Sequence, residues 1–447
     1  MQGHTGGGKD LPAGQHPSAS PSEPAQKKPP AAIGPGDIAI GVVIGRASEN
    51  FDFFVYAIAS VLVFPTVFFP THDPLRGTLY SFLIFAFAFV ARPLGTIAFM
   101  SIQRRYGRES KLMTALFLLG FSTAGIAFLP GYWDIGFTSV VLLSLFRIGQ
   151  GAALGGSWDG LASLLALNAP ANRRGWYAML GQLGAPVGFM LASSLFAALL
   201  FSLSKDEFLE WGWRYPFYVA FAINVVALFA RLRLVSTDEY ARLLEERELQ
   251  PTSVVEMTKS QGRNVLIGAL AALGSYAMFH IVTVFPLSWI VLYSDRAVPD
   301  FLLVQAMGAV LAALGVIASG WIADRLGRRT TLGTLALLIA AFSGLVPTLM
   351  DGGNTGQDIF ILLGFALLGL SYGQASGAVT ANFSARYRYT GAALTSDLAW
   401  LVGAGFAPLV ALGLSANFGL DYVSLYLLSG AVGSMAALSV NRALEIR

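Results

Sequence analysis

Twelve long apolar segments dominate this chain and limit the folds that it can adopt. At about 1.5 Å of rise per residue, helices of this length cross the roughly 30 Å hydrocarbon core of a bilayer. The segments are rich in Leu, Ala and Gly and do not alternate with period two, which favours packed helices over strands. We predict an all-α membrane protein with spans at residues 38–64, 78–101, 111–130, 136–166, 174–201, 214–232, 264–293, 301–323, 330–350, 357–382, 390–415 and 421–440.

The composition excludes several classes of function. Of the 447 residues, 55% are hydrophobic and 12% are charged, and the mean hydropathy is +0.62. The net charge of +3 comes from loop Lys and Arg, which indicates membrane orientation rather than nucleic-acid binding. The chain has no cysteine, four histidines, and no Walker loop, nucleophile elbow or zinc-binding pair. We therefore expect no enzyme activity, no metal and no cofactor.

The loop charges predict the orientation. Basic residues follow the second, fourth, eighth and tenth spans, whereas the opposite loops are mostly acidic, so both termini are expected in the cytoplasm. Residues 1–36 are rich in Gly, Pro and Ser and are predicted to be a disordered cytoplasmic tail, with residues 441–447 as a second cytoplasmic tail. Because the first tail lacks the apolar core of a signal peptide, the first span is expected to serve as the insertion signal.

A repeat divides the chain into two halves. Residues 233–263 form the longest hydrophilic connection, a predicted cytoplasmic linker between six-helix halves at 37–232 and 264–440. The segment 104–108 follows span two, and the similar segment 324–329 follows span eight, its counterpart. Duplicated halves suit a transporter, so we predict two pseudo-symmetric six-helix bundles.

The first span carries an unusual polar stripe. Arg46, Glu49, Asp52 and Tyr56 step by three or four residues and share one helix face, with Glu49 about 16 Å into the span. Ionisable groups at this depth usually mark an ion path, a proton relay or a ligand site. We predict that Glu49 and Asp52 couple transport to protons, with Tyr56 beside the substrate.

Arg147 lies about 15 Å into span four and is the predicted counter-charge of Glu49 and Asp52. It is also the predicted ligand of an anionic substrate group, the alternative being a static ion pair between spans one and four. Further candidates for the cavity wall are Gln150, Gln182, Tyr276, His280 and Asp397, although packing and helix-to-helix hydrogen bonds explain the Gln, Tyr and His side chains nearly as well. Arg92, which precedes Pro93, is predicted to be structural, and Asp159 a helix-contact residue.

The loop after span eight has the pattern G-x-x-x-D-R-x-G-R-R, formed by Gly320, Asp324, Arg325, Gly327, Arg328 and Arg329. It resembles the loop signature of the major facilitator superfamily at every defined position. Glycines permit a tight loop, and Asp324 is expected to pair with Arg325, Arg328 or a neighbouring helix terminus in one conformation only. A loop that only fixes topology is the alternative.

More specifically, the chain resembles the metabolite:H⁺ symporters over most of residues 40–440. The likeness rests on matches in order at residues 49–54, 64–70, 91–95, 147–156, 174–186, 211–216 and 386–391. It departs from that family at Asn50, Ser157 and Ala381, and the first-half loop has Arg104 in place of Asp and Met100 in place of Gly. These departures indicate an outlying member.

The resemblance implies proton-coupled uptake of a small carboxylate or zwitterion across a bacterial inner membrane, by alternating access in a protein expected to work as a monomer. Protonation of Glu49 or Asp52 and binding of a substrate carboxylate at Arg147 would together permit the inward switch. The alternatives are proton-driven export of a drug or metabolite and, from another class, a sensor that binds ligand without flux.

Overall fold

The computed structural model describes residues 3–4, 6–8, 35–157, 165, 169–170, 172–235, 242, 245, 249–380 and 383–440. Residues 33–447 group into one compact unit, separate from residues 1–32. Most of the predicted tail at residues 1–36 lies outside the described residues. Asp159, Ala381, residues 441–447 and part of the predicted linker, at residues 236–241, 243–244 and 246–248, also lie outside the described residues.

The described elements are helices. We number them by predicted span and divide a span into a, b and c where the helix breaks. They are α1 (Pro35–Leu62), α2 (Pro74–Tyr106), α3 (Arg108–Ala127), α4 (Phe137–Gly156), α5a (Arg174–Leu180), α5b (Gly184–Ser202), α6 (Tyr215–Val235), α7a (Val254–Ala271), α7b (Leu273–Thr283), α7c (Phe285–Tyr293), α8 (Val298–Leu326), α9 (Arg328–Ser343), α10 (Gly353–Tyr372), α11a (Arg388–Ala399), α11b (Ala407–Phe418) and α12 (Leu420–Val440). Short helical segments lie at Phe64–Val67, Tyr132–Ile135, Lys205–Glu210, Gly212–Arg214, Val346–Met350, Ala375–Thr380 and Ala385–Tyr387.

Ten helical stretches of the described chain are long and apolar enough to cross a membrane. The first and ninth predicted spans also coincide with helices, but α1 carries Arg46, Glu49 and Asp52 within its central turns and α9 has only 16 residues. Every predicted span thus coincides with a helix. The predicted all-α membrane fold is confirmed.

The boundaries differ from prediction where a helix is broken or extended. Helix α7a begins at Val254, ten residues before the predicted start of span seven, so the end of the predicted linker is helical. Turns at residues 181–183 and 373–374 interrupt spans five and ten. In span eleven a π-helix at Trp400–Gly405 separates α11a from α11b. Such π-segments often mark functional sites, and this one lies beside the cavity described below.

Small residues set the close contact between α2 and α4. A Cβ atom added at Gly151 would collide with the backbone of Ala88, and one added at Gly155 would collide with the backbone of Arg92. Gly95 on α2 approaches Ala152 in the same way. Backbones can approach this closely only where side chains are absent, as is usual between membrane helices. This contact fixes α2, and with it Arg92, against the first half of the bundle.

The two halves, α1–α6 and α7–α12, meet mainly along two pairs of spans. Helices α5a and α5b pack against α8, and α2 packs against α11a and α11b, while α1 and α2 make smaller contacts with α7c. Between α5b and α8, the Ser193 hydroxyl donates a 2.7 Å hydrogen bond to the Leu302 carbonyl. The remaining contact is largely apolar, with a continuous cluster of buried rings and aliphatic side chains drawn from both halves.

Gly151→Leu should destabilise the protein by about 1–3 kcal/mol or more, because the new side chain has no space against Ala88. Thermal unfolding of the purified protein in detergent measures this loss. The control is Gly333→Leu on α9, where an added Cβ meets no atom within 4 Å. Equal melting temperatures for the two variants would contradict the proposed close contact.

Candidate functional site

Glu49 lies between two arginines on one side of α1. Its Oε2 accepts a 2.8 Å hydrogen bond from Arg46 Nη1, one turn away on the same helix, and its Oε1 accepts a 2.6 Å bond from Arg231 Nη1 on α6. The predicted counter-charge was Arg147, and this prediction is wrong for Glu49. Arg231 occupies the last turns of α6, so the tertiary fold rather than helical spacing brings it to Glu49.

Asp52, one turn further along α1, is buried in a neutral polar network. The hydroxyl of Thr123 on α3 donates to its carboxylate at 2.7 and 3.0 Å, and the amide of Asn224 on α6 donates at 2.9 Å. Gln150 on α4 donates a longer bond of 3.4 Å. Three helices of the first half therefore converge on this carboxylate.

Arg147 reaches Asp52 only through Gln150. Its Nη1 donates a 3.0 Å bond to Gln150 Oε1, and its Nε donates to the Phe85 carbonyl at 3.3 Å. The guanidinium lies 3.9 Å from the ring centroid of Tyr56 and 4.7 Å from that of Phe85. In place of the predicted direct ion pairs, Arg147 is connected to Asp52 through the amide of Gln150. The faces of the Tyr56 and Phe85 rings stabilise the buried cation.

An aromatic layer closes the centre of the bundle. The ring centroids of Phe53 and His280 are 5.5 Å apart, and those of Phe89 and Trp400 are 6.1 Å apart, so each pair joins the two halves. His280 Nδ1 lies 3.2 Å from the Thr283 hydroxyl, whereas its Nε2 has no hydrogen-bond partner among the described residues. His280 is therefore packed into the aromatic layer and does not line the cavity.

A cavity of about 1120 Å³, including the solvent at its mouth, lies on one side of this layer. Of the predicted site residues, Glu49, Gln182 and Tyr276 line it. The others do not. Tyr56, Arg147, Gln150, His280 and Asp397 are buried and are not part of the cavity lining. Of the residues predicted to bind substrate, Gln182 and Tyr276 thus line the cavity and the others are buried outside its lining.

Arg92 and Asp397 form a polar contact between the halves at the cavity wall. Arg92 Nε donates a 2.7 Å hydrogen bond to Asp397 Oδ1, and Thr96 donates a 2.5 Å bond to Asp397 Oδ2. Arg92 itself lines the cavity, as does the neighbouring Ser396. Sequence analysis assigned Arg92 a structural role because Pro93 follows it, and it missed this pair. Two opposite charges at similar depth in spans two and eleven were the available signal.

One end of the bundle carries the arginine-rich loops after α2 and α8, and we call it the basic end. Gly107 and Gly327 occupy equivalent places there with φ of 88° and 83°, a backbone conformation that favours glycine. Asp324 accepts bonds of 2.6 and 3.1 Å from the backbone amides of Gly175 and Trp176 at the start of α5a. Asp324 was predicted to pair with Arg325, Arg328 or a neighbouring helix terminus, and in this structure it pairs with the helix terminus.

The corresponding contact of the first half uses different groups. The Tyr389 hydroxyl on α11a donates a 3.1 Å bond to Gln103 and accepts one of 3.1 Å from Lys111. Gln374 donates to the Ser319 hydroxyl and to the Gly175 carbonyl, which makes it a helix-to-helix contact. Among the described residues, no group of three His, Asp or Glu side chains could hold a metal ion.

Comparison with known proteins identifies the family. A model described as the Major Facilitator Superfamily matches residues 51–408. The chain belongs to the Major Facilitator Superfamily. It is thus a multi-pass membrane transporter and not an enzyme, as its sequence motifs indicate.

Three similar proteins place this member of the superfamily more closely. The inner membrane metabolite transport protein YhjE of Escherichia coli K12 is 35% identical, over 90% of this chain and 92% of its own. The shikimate transporter of the same organism is 32% identical, over 90% and 93%. The crystal structure of a D-xylose-proton symporter has a TM-score of 0.69 at 18% identity, covering 92% of this chain and 98% of its own, and shows the same fold.

Glu49→Gln should lower the free energy of unfolding by about 3–5 kcal/mol, because it removes a buried carboxylate that pairs with both Arg46 and Arg231. Arg231→Gln should lower it by less, because Glu49 keeps its ion pair with Arg46. The double variant should lose less than the sum of the two, because both single variants break the same ion pair. Unfolding midpoints in detergent for all three variants provide this double-mutant cycle.

The matched control is Glu256→Gln, which removes an exposed ion pair with Arg386 and should change stability by about 0–1 kcal/mol. Additive losses in the cycle would mean that Glu49 and Arg231 do not interact.

Proposed function

We propose that this transporter is a proton-coupled symporter that takes up a small carboxylate or zwitterionic metabolite across a bacterial cytoplasmic membrane by alternating access. The observation that carries the proposal is the pair of acids on α1, with Glu49 at the cavity and Asp52 one turn away in a buried network. The names of the relatives support the class, since shikimate is a carboxylate and the xylose carrier is a proton symporter.

Asp52 is the better candidate for the proton carrier. Protonation of Glu49 would break its ion pairs with both Arg46 and Arg231, whereas the hydrogen bonds that Asp52 accepts from described residues come from neutral donors. A proton on Asp52 therefore breaks no ion pair, yet it changes the charge seen by Arg147 through Gln150. We assign the proton to Asp52 and assign Glu49 to organising the cavity wall. The membrane potential assists, at about 2.3 kcal/mol per charge per 100 mV.

The basic end is assigned to the cytoplasm, together with both termini, because basic loops are retained there. The loop from Gly320 to Arg329 then acts as a cytoplasmic gate, with Asp324 holding the start of α5a in this conformation and releasing it in the other.

Asp52→Asn tests the proton assignment. In proteoliposomes screened with shikimate, succinate and glycine betaine, the wild-type protein should acidify the interior when substrate enters. The variant should lose acidification and accumulation but retain exchange of labelled substrate at equal concentrations, because exchange requires no net proton movement. The control is Asp421→Asn, an exposed carboxylate at the start of α12, which should behave like wild type.

Substrate entry without acidification, or normal acidification by Asp52→Asn, would contradict the coupling proposal. Uptake in right-side-out vesicles under an imposed pH gradient fixes the direction. Net export there would contradict uptake, and ligand binding without flux under any gradient would contradict transport itself.

A further inference from the structure

Arg92 presents an anion-binding fork to the cavity. Its Nε is occupied by Asp397, whereas its two terminal nitrogens make no hydrogen bond or ion pair to any described residue. The Arg92 side chain retains 14% exposure, and the residue lines the cavity. An arginine held by its Nε keeps the paired terminal N–H groups that bind a carboxylate in bidentate geometry.

Asp397 fixes this fork in place. One carboxylate oxygen holds Arg92 and the other accepts from Thr96, so the orientation of the guanidinium is set by groups on α2 and α11a. The cavity wall has two cationic side chains, Arg46 and Arg92, and one anionic side chain, Glu49. Glu49 already forms two ion pairs. This balance favours a ligand with one negative charge and disfavours a cationic group.

Rings form the rest of the wall around Arg92. Phe53 and Phe89 come from the first half, and Tyr276, Tyr372 and Trp400 from the second. The Arg92 guanidinium carbon lies 5.9 Å from the ring centroid of Trp400. When the anionic group of a ligand binds Arg92, the rest of the ligand would therefore lie against this indole. Flat faces of this kind bind the face of a ring better than a flexible chain, because a rigid ring loses less conformational entropy on binding. Hydrogen-bonding groups remain at Asn50, Gln182 and Ser396.

Resting on the proposed function, we propose that the cavity binds a hydroxylated cyclic monocarboxylate, with the carboxylate on the terminal nitrogens of Arg92 and the ring against Trp400. Asp397 is the positioning residue of this site, and Arg147 takes no direct part in it in this conformation. Because Arg92 belongs to α2 and its partner to α11a, the bound carboxylate sits where the two halves of the bundle meet.

Calorimetric titration of the purified protein with four probes tests the ligand class. Quinate is a hydroxylated ring monocarboxylate, and gluconate has the same charge and similar size without the ring. The methyl ester of quinate removes the charge, and glycine betaine adds a cation. We expect quinate to bind about tenfold or more tightly than gluconate and the other two probes. Equal or tighter binding of gluconate, the ester or betaine would overturn the ligand class.

Variants test the residues. Arg92→Lys keeps the charge but loses the fork and should weaken quinate binding about tenfold or more. Asp397→Asn should weaken it by a smaller factor, and the effect should be confined to carboxylate probes. Trp400→Leu should bring the quinate-to-gluconate ratio towards one. Wild-type affinity and selectivity in these variants would overturn the assignment.

The double variant Arg92→Gln/Asp397→Asn guards against misfolding, because it leaves no charge unpaired; if folded, it should not bind quinate detectably. The matched control is Arg296→Lys, which alters another arginine–carboxylate pair, with Asp358, away from the cavity. It should bind quinate like wild type, and a loss equal to that of Arg92→Lys would overturn the proposal.

The two proposals fail separately. Quinate binding that depends on Arg92 without proton movement in proteoliposomes would support this site and reject proton coupling. Proton-coupled uptake of an open-chain acid that is unchanged by Arg92→Lys would support coupling and reject this site.

Discussion

The structure depends on one constraint, which is that a charge within the hydrocarbon core must find partners inside the protein. Helix α1 carries three of these charges, and its two carboxylates bind neighbouring helices. Glu49 binds α1 to α6 through Arg231, and Asp52 binds it to α3 and α6 through Thr123 and Asn224. Helix α1 thus sits at the centre of the first half because its carboxylates need donors from several sides.

The contact between the halves has the opposite character. Apart from the Arg92–Asp397 pair and a few hydrogen bonds, it consists of aromatic rings that pack at varied angles, such as Phe53 on His280 and Phe189 on Phe365. Ring-on-ring contacts have no fixed hydrogen-bond partners and can slide at small cost, whereas the polar networks cannot. The first half is thus held together by buried polar bonds, and the surface between the halves is suited to movement. Alternating access requires such an arrangement, because the halves must move relative to each other while their internal contacts are kept.

Helical spacing was sufficient to predict what lies on α1. The stripe from Arg46 to Tyr56 is real, and its i,i+3 pair of Arg46 and Glu49 is formed as the period of the helix requires. Spacing could not predict partners on other helices. Arg231 is 182 residues from Glu49 and Asp397 is 305 residues from Arg92, and only the packing of helices chooses among the buried bases. Arg147 was the obvious choice by depth, yet its side chain turns towards Tyr56 and Phe85, and only the fold decides that direction.

The repeat predicted the loops better than it predicted their contacts. Gly107 and Gly327 both adopt the left-handed conformation that their equivalent positions require, because a tight turn between two helices imposes the same backbone geometry in each half. The attached contacts have diverged. In the second half a carboxylate accepts from two backbone amides at a helix start, where the helix dipole favours an anion. The first half has Arg104 at the corresponding position, and a cation there would repel the same dipole. A tyrosine hydroxyl shared by Gln103 and Lys111 connects α11a instead, so the equivalent loops of the two halves use a charged contact in one case and a relayed contact in the other.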